Sequence, residues 1–295
     1  MKRDISGWVI LDKPYGMTST TAVGRVRWLF SAKKAGHAGT LDPLATGILP
    51  IALGEATKTV PAMQDGRKVY RFTVAWGAAT ATDDAEGEVI ATSDRRPAEA
   101  DVLAALPRFT GKIMQAPPAF SAIKIDGERA YDIARAGGEV ALAPRPVIVD
   151  ALRLLRHVTA SSDFEMACEK GTYVRSLARD LAEALGTRGH VTALRRTAVG
   201  PFDESRTLTI ESIEADEDRD ASLLPAAAGL AGLTEVRLTP DQAATLRHGN
   251  PVLLTGAGAP VALELAWASS RGEAVAIGSV ERGHFKPRRV LLPES

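Results

Sequence analysis

Hydrophobic and polar positions change rhythm along this chain, and the changes mark out its elements. Trp8-Val9-Ile10-Leu11 is a short unbroken apolar run, the pattern of a buried strand. After the turn Asp12-Lys13-Pro14-Tyr15-Gly16-Met17, Thr18 or Ser19 caps a helix whose Ala22, Val23, Val26, Leu29 and Phe30 share one face. Ile48 to Leu53 is apolar again. Lys68 to Val74 alternates and predicts a half-buried strand, with Tyr70 and Phe72 on one side. A short helix from Asp101 ends at Pro107. Helical spacing from Arg129 to Ala136 stops at Gly137-Gly138. Strands are predicted from Pro144 through Leu155 and from Phe164 to Cys168. Tyr173, Val174, Leu177, Ala178, Leu181, Ala182 and Leu185 then recur at helical spacing, with Gly186 as the stop. His190 to Arg196 leads into a further strand. From Ile210 to Leu233 the chain is acidic, then alanine-rich, and predicts a helix plus a linker. The pattern then restarts. Thr239-Pro240-Asp241-Gln242 is a capping box with proline at the first helical position. Strands follow from Pro251 to Leu254, Val261 to Ala268 and Ala274 to Val280. The expectation is an α+β chain with one domain over residues 1–232 and a small, mostly β domain over 233–295.

Composition narrows the class. Of 295 residues, 45% are hydrophobic, enough for a sizeable core and too many for a disordered chain. Only four apolar residues follow Gly7 before Asp12, which predicts neither a signal peptide nor a membrane span. One cysteine, Cys168, cannot form an internal disulfide, and a cytoplasmic location is expected. The formal net charge of zero hides local bias: up to residue 80 there are 11 Lys and Arg against 5 Asp and Glu. From Glu211 to Asp220 six acids accompany one Arg, and Arg282, Lys286, Arg288 and Arg289 gather near the end. Such local basic faces, rather than the chain average, are what bind phosphate.

Familiar chemistry is largely missing. Gly111-Lys112 lacks the rest of a phosphate loop, and Gly256-Ala257-Gly258 does not open a dinucleotide site. The five histidines are dispersed and give no metal-ligand spacing. What stands out is Gly36-His37-Ala38-Gly39-Thr40-Leu41-Asp42-Pro43-Leu44-Ala45-Thr46-Gly47-Ile48-Leu49-Pro50. This loop is shaped by glycine and proline and carries a single acid, Asp42. Far along the chain, Arg175 sits in the first turn of a predicted helix, where the helix dipole disfavours a cation, with Arg179 on the same face. A cation held there points to a specific anionic partner.

The Asp42 loop closely resembles the catalytic motif of the tRNA pseudouridine-55 synthases, the TruB family. Leu11-Asp12-Lys13-Pro14-x-Gly16-Met17-Thr18-Ser19, Lys68-Val69-Tyr70 and Pro117-Pro118-x-Phe120-Ser121-Ala122-Ile123-Lys124 are similar to further motifs of that family. So are Lys170-Gly171-Thr172-Tyr173-Val174-Arg175-Ser176-Leu177-Ala178-Arg179-Asp180-Leu181, Leu194-Arg195-Arg196 and Gly249-Asn250-Pro251-Val252, all in order. The resemblance implies a mixed-sheet catalytic domain with an RNA-gripping insertion at about 112–146, followed by a PUA-type RNA-binding domain. It implies that one uridine of the tRNA T-loop becomes pseudouridine with no cofactor and no metal. Asp42 then attacks C1′ of the ribose or stabilises charge there, or takes a C2′ proton on a glycal route. By the same match Arg175 is the cation that keeps Asp42 ionised, and Asp84, rather than Asp83, shares that arginine. Tyr70 stacks on the target base, Leu194 walls the pocket, and His37 fills the space left by the flipped base. Lys13, Tyr173, Arg179 and the arm from Pro117 to Pro146 are expected near the RNA. A monomer is expected. Two other functions stay open on the residues alone. One is an RNA-binding protein that folds tRNA with secondary or lost catalysis. The other is a base hydrolase, which requires a second carboxylate to activate water.

Overall fold

The structure is a computed structural model that describes residues 2–293, apart from 122, 126, 137, 139 and 141. Three expectations therefore fall partly outside the described residues: Ala122 of the proline-phenylalanine motif, Gly137 of the helix stop, and the last two residues of the C-terminal domain. The chain divides into two units. The first comprises residues 1–42, 47–66 and 199–295; the second comprises 43–46 and 67–198.

The first unit opens with β1 (Gly7–Lys13), whose side chains are buried on both faces apart from half-buried Asp12. Thr18 supplies the cap of α1 (Ser19–Leu29), its hydroxyl accepting from the Thr21 N–H. Ala22, Val26 and Leu29 bury one face of that helix. The chain then forms β2 (Ala35–His37) and β3 (Thr46–Leu53). Both β1 and β2 run antiparallel to β3, with Lys13 opposite Gly47 and His37 opposite Ile51. The short α2 (Val60–Asp65) has proline in its first turn.

The second unit is built on strands in the order β12-β4-β11-β10-β7. Here β4 is Lys68–Trp76, β5 Ala78–Thr80, β6 Val89–Thr92, α3 Glu99–Ala105 and β7 Gly111–Gln115. Next come β8 (Lys124–Ile125), β9 (Glu128–Arg129), α4 (Ala130–Arg135), β10 (Arg145–Val158), β11 (Ser161–Cys168), α5 (Val174–Ala184) and β12 (Gly189–Val199). β11 alternates strictly between half-buried and buried positions. Its Phe164 stacks on Phe72 of β4 at 5.3 Å and meets Trp76 edge-on at 6.4 Å. On α5, Leu177, Ala178, Leu181 and Ala182 are fully buried, matching the predicted apolar stripe. β7 was not predicted: the run Gly-Lys-Ile-Met-Gln has one buried position, Gln115, and a partner on only one side.

The remainder of the first unit departs from prediction between Ile210 and Leu233. After the two-residue β13 (Phe202–Asp203), α6 covers only Ile210–Ala215, under a Thr209 capping box. The alanine-rich stretch is not a linker. It forms a 3-10 turn over Ala226–Leu230, where Ala226 and Leu230 are buried in one cluster with Trp8. Pro225 precedes the turn, and Gly229 lies so close to Trp8 that a Cβ there would stand 2.5 Å from its indole nitrogen. The neighbouring Leu224 exchanges backbone hydrogen bonds of 2.7 and 2.9 Å with Trp8, covering the free edge of β1.

Then follow β14 (Thr234–Arg237), α7 (Pro240–Arg247), β15 (Val252–Leu253), β16 (Ala262–Ser270), β17 (Glu273–Glu281) and β18 (His284–Val290). These strands form a five-stranded sheet in the order β14-β16-β17-β18-β15, and α7 begins with the predicted Thr239–Gln242 capping box. The sheet keeps its own core around Leu246, Val275 and Phe285, while Trp267, Ile277 and Leu291 join the cluster of Trp8 and Leu230. The α+β class with a mostly β C-terminal portion is therefore as expected. Among the described residues, no helix is long and apolar enough to cross a membrane.

Candidate active site

The Asp42 loop is fastened on both sides of its carboxylate. Ser19, buried in the first turn of α1, does not cap that helix. Its hydroxyl instead donates to the Leu41 carbonyl at 2.9 Å and accepts from the Leu41 N–H at 2.8 Å. Ala38 donates to the Pro50 carbonyl, and Ala38, Leu41, Leu44 and Ala45 are buried. Gly39 and Gly47 take φ of 102° and 94°, which side chains disfavour, so the loop needs glycine at both bends. On the far side, Thr46 donates to the Leu194 carbonyl at 3.5 Å and accepts from Arg195 at the same distance, within the second unit. Asp42 itself is half-buried. Apolar anchoring of its neighbours fixes the backbone that presents it.

Lys13 is fully buried, and its ammonium donates to the Pro14 and Met17 carbonyls at 2.9 and 2.7 Å. These bonds tie the Lys13 side chain to the turn that leads into α1. His37 lies half-buried at the end of β2.

In the second unit, three expected residues come together with several that sequence reasoning missed. Arg175 is 4% exposed at the second position of α5. One terminal nitrogen donates to the Thr82 carbonyl and the other to the Phe120 carbonyl, each at 2.9 Å. Its Nε lies 3.6 Å from Asp84, a carboxylate only 2% exposed. Asp84 also accepts from the Thr82 hydroxyl and from the Glu86 N–H. The buried Asp84 carboxylate and the Thr82 and Phe120 carbonyl dipoles help offset this cation at a helix N-terminus. Asp83, whose backbone sits at φ 61°, turns the other way and binds Arg179 at 2.8 Å. Arg179 also donates to Asp180 at 2.9 Å and to the Ala116 carbonyl at 3.0 Å. Burial pushes the Asp83 carboxyl above its usual range, with Arg179 and Arg175 opposing. Burial also works against the Arg179 charge, but Asp83 and Asp180 together hold its pKa above the ordinary value. The two neighbouring aspartates therefore serve two different arginines.

Tyr70 is half-buried on β4 opposite Met166. Leu194 on β12 is 7% exposed. Tyr173 caps α5 with its backbone and carries the Arg145 guanidinium 5.5 Å from its ring centre. The residues missed by sequence reasoning are Gln115, Thr82 and Phe120. Phe120 acts through its backbone carbonyl, which leaves no residue-type signature, and Thr82 through both its carbonyl and its hydroxyl. Cys168 is buried, and that burial pushes its thiol up to about 11, away from the reactive thiolate form at neutral pH.

The same architecture occurs in solved structures. A chain of the Cbf5-Nop10-Gar1 complex superposes with a TM-score of 0.76 at 26% identity, covering 98% of this chain and 85% of that one. A chain of an H/ACA RNP bound to a substrate RNA containing 2'-deoxyuridine gives 0.75 at 22% identity, over 98% and 86%, a likeness of fold. Residues 27–174 match the model of the TruB family pseudouridylate synthase N-terminal domain. Residues 175–231 match that of the tRNA pseudouridylate synthase B C-terminal domain. A protein of Mesorhizobium japonicum named tRNA pseudouridine synthase B is 52% identical, over 98% of this chain and 97% of its own length. One of Chelativorans sp. with the same name is 54% identical, over 98% and 96%. The chain belongs to the TruB family of pseudouridylate synthases.

Proposed function

We propose that this protein is an isomerase that converts uridine 55 in the T-loop of tRNA to pseudouridine, with Asp42 as nucleophile. The observation that carries the reading is identity of 52% and 54%, over 98% of the chain, to proteins named tRNA pseudouridine synthase B. The reaction breaks the bond between uracil N1 and ribose C1′ and forms one between C5 and C1′. One proton leaves C5 and one reaches N1, so substrate and product are isomers and no redox cofactor enters. A carboxylate suits this chemistry because it can bond to C1′ as the base departs and leave again as C5 attacks. Arg175 is the cation proposed to keep Asp42 ionised, a pairing that rests on the motif resemblance. Tyr70 stacks on the base and lies near the departing C5 proton, Leu194 walls the pocket, and His37 fills the gap in the RNA. Residues 233–295 serve as the PUA-type RNA-binding domain, with the segment at about 112–146 gripping the stem. The protein acts as a cytoplasmic monomer.

Incubation with unmodified tRNA, followed by chemical labelling and mapping, is expected to show one new pseudouridine at position 55. Release of free uracil would identify a hydrolase, and bound but unchanged tRNA would identify a folding protein. Exposed Arg27, Lys34, Arg282, Arg288 and Arg289 supply cations for phosphate. Binding of a T-loop hairpin is accordingly expected to weaken by about tenfold or more between 50 and 200 mM salt. A flat response in filter binding would remove the electrostatic part of the reading.

A further inference from the structure

Gln115 ends β7 and stands directly opposite Arg145, the first residue of β10. The two are the exit and return points of the excursion 116–144. Both grip the same residue. The Gln115 amide, 1% exposed, accepts from the Tyr173 N–H at 2.8 Å and donates to the Tyr173 carbonyl at 3.1 Å. Arg145 lies over the Tyr173 ring at 5.5 Å and donates to the Gly171 carbonyl at 3.0 Å. Tyr173 is the N-cap of α5, yet its side chain makes no capping bond, and α5 has no acid in its first turn. The buried amide from another strand therefore fixes the start of that helix.

The link continues along the excursion. Ala116 offers its carbonyl to Arg179 and Phe120 offers its own to Arg175. Pro117 and Pro118 between them have no N–H and restricted φ, so this stretch presents acceptors on a stiff frame. The two arginines of α5 thus hold the first residues of the arm, and Gln115 holds the helix turn that carries Arg175.

We propose that Gln115 is a positioning residue that locks the root of the RNA-facing arm to the N-terminal turn of α5 and so sets the Arg175 guanidinium. The placement of the helix turn is a property of the fold alone; its catalytic consequence rests on the pseudouridine synthase reading. Gln115 touches no reacting atom in this account. A misplaced arginine lowers the rate of the chemical step, since errors on the order of 1 Å in a reacting assembly cost up to about a hundredfold.

The test uses the full-length protein with Q115L and Q115E. Q115L keeps the volume and removes both hydrogen bonds. Hydrogen exchange of amides 173–177 is expected to accelerate, and kcat on unmodified tRNA to fall by about tenfold or more with KM within about twofold. Q115E can still accept from the Tyr173 N–H, but its carboxylate repels the Tyr173 carbonyl until protonated. Burial raises the pKa of such a carboxyl, and the protonated acid then donates as the amide did. The ratio of Q115E to wild-type kcat should therefore rise as pH is lowered, a signature that general loss of packing would not produce. Wild-type exchange in a folded Q115L, or a pH-independent Q115E ratio, overturns the proposal. If Q115L fails to fold, the Q115E profile decides. If the wild type makes no pseudouridine, the catalytic reading fails, and the exchange experiment alone judges the placement of the helix turn.

Discussion

Asp42→Asn is expected to abolish pseudouridine formation while leaving the fold and tRNA binding in place. The substitution keeps the shape of the side chain and removes its charge. The residues on either side are anchored by other groups: Ser19 holds Leu41 by two hydrogen bonds, and Leu44 and Ala45 are buried. An amide can neither bond to C1′ as a leaving carboxylate nor balance positive charge there. Single-turnover rates on unmodified tRNA should fall by about a thousandfold or more, equivalent to ~4 kcal/mol of transition-state stabilisation. Filter binding should change by less than about threefold, because the phosphate contacts proposed above fall on other residues and such contacts dominate affinity. Product at a near-normal rate would remove Asp42 from the role of nucleophile.

How much of this was visible beforehand depends on what kind of group carries the information. Local patterns were legible. The Thr239 capping box, the apolar stripe of α5 and the alternation of β4 all follow from side chains reporting their own surroundings. Polar strands were not. β18 carries a lysine, two arginines and a proline around buried Phe285, and its sequence reads as a basic cluster rather than a strand. The stretch after α6 reads as a linker because alanine fits any setting; contact with Trp8 is what makes Ala226 core. At the site, the distinct glycine, proline and acid of the Asp42 loop stood out. Asp84 was distinguished from Asp83 by resemblance only, and the two differ in the arginine each faces. Gln115 carried no signal, because its partners are a backbone N–H and a carbonyl more than fifty residues away.

Arg175→Met should cost stability as well as activity, and the size of that cost separates a structural knot from a surface ion pair. The guanidinium spans the Thr82 and Phe120 carbonyls and lies 3.6 Å from Asp84, with the two side chains 4% and 3% exposed. Methionine fills similar volume but leaves a buried carboxylate without its cation and two carbonyls without a donor. Removing one partner of a buried pair costs about 3–5 kcal/mol, far more than the ~0–1 kcal/mol of an exposed pair. The thermal midpoint should drop by roughly 10 °C. Pairing the change with Asp84→Asn removes the stranded charge while Asn keeps an oxygen for the Thr82 hydroxyl and the Glu86 N–H. The double variant should therefore be more stable than Arg175→Met alone, with a coupling on the order of 1–3 kcal/mol. Strict additivity would show that Arg175 and Asp84 do not sense each other. Activity should not return in the double variant, because a charge-balanced, folded site would still lack the cation proposed to act on Asp42. A recovery of product together with stability would move Arg175 from the chemistry to the scaffold.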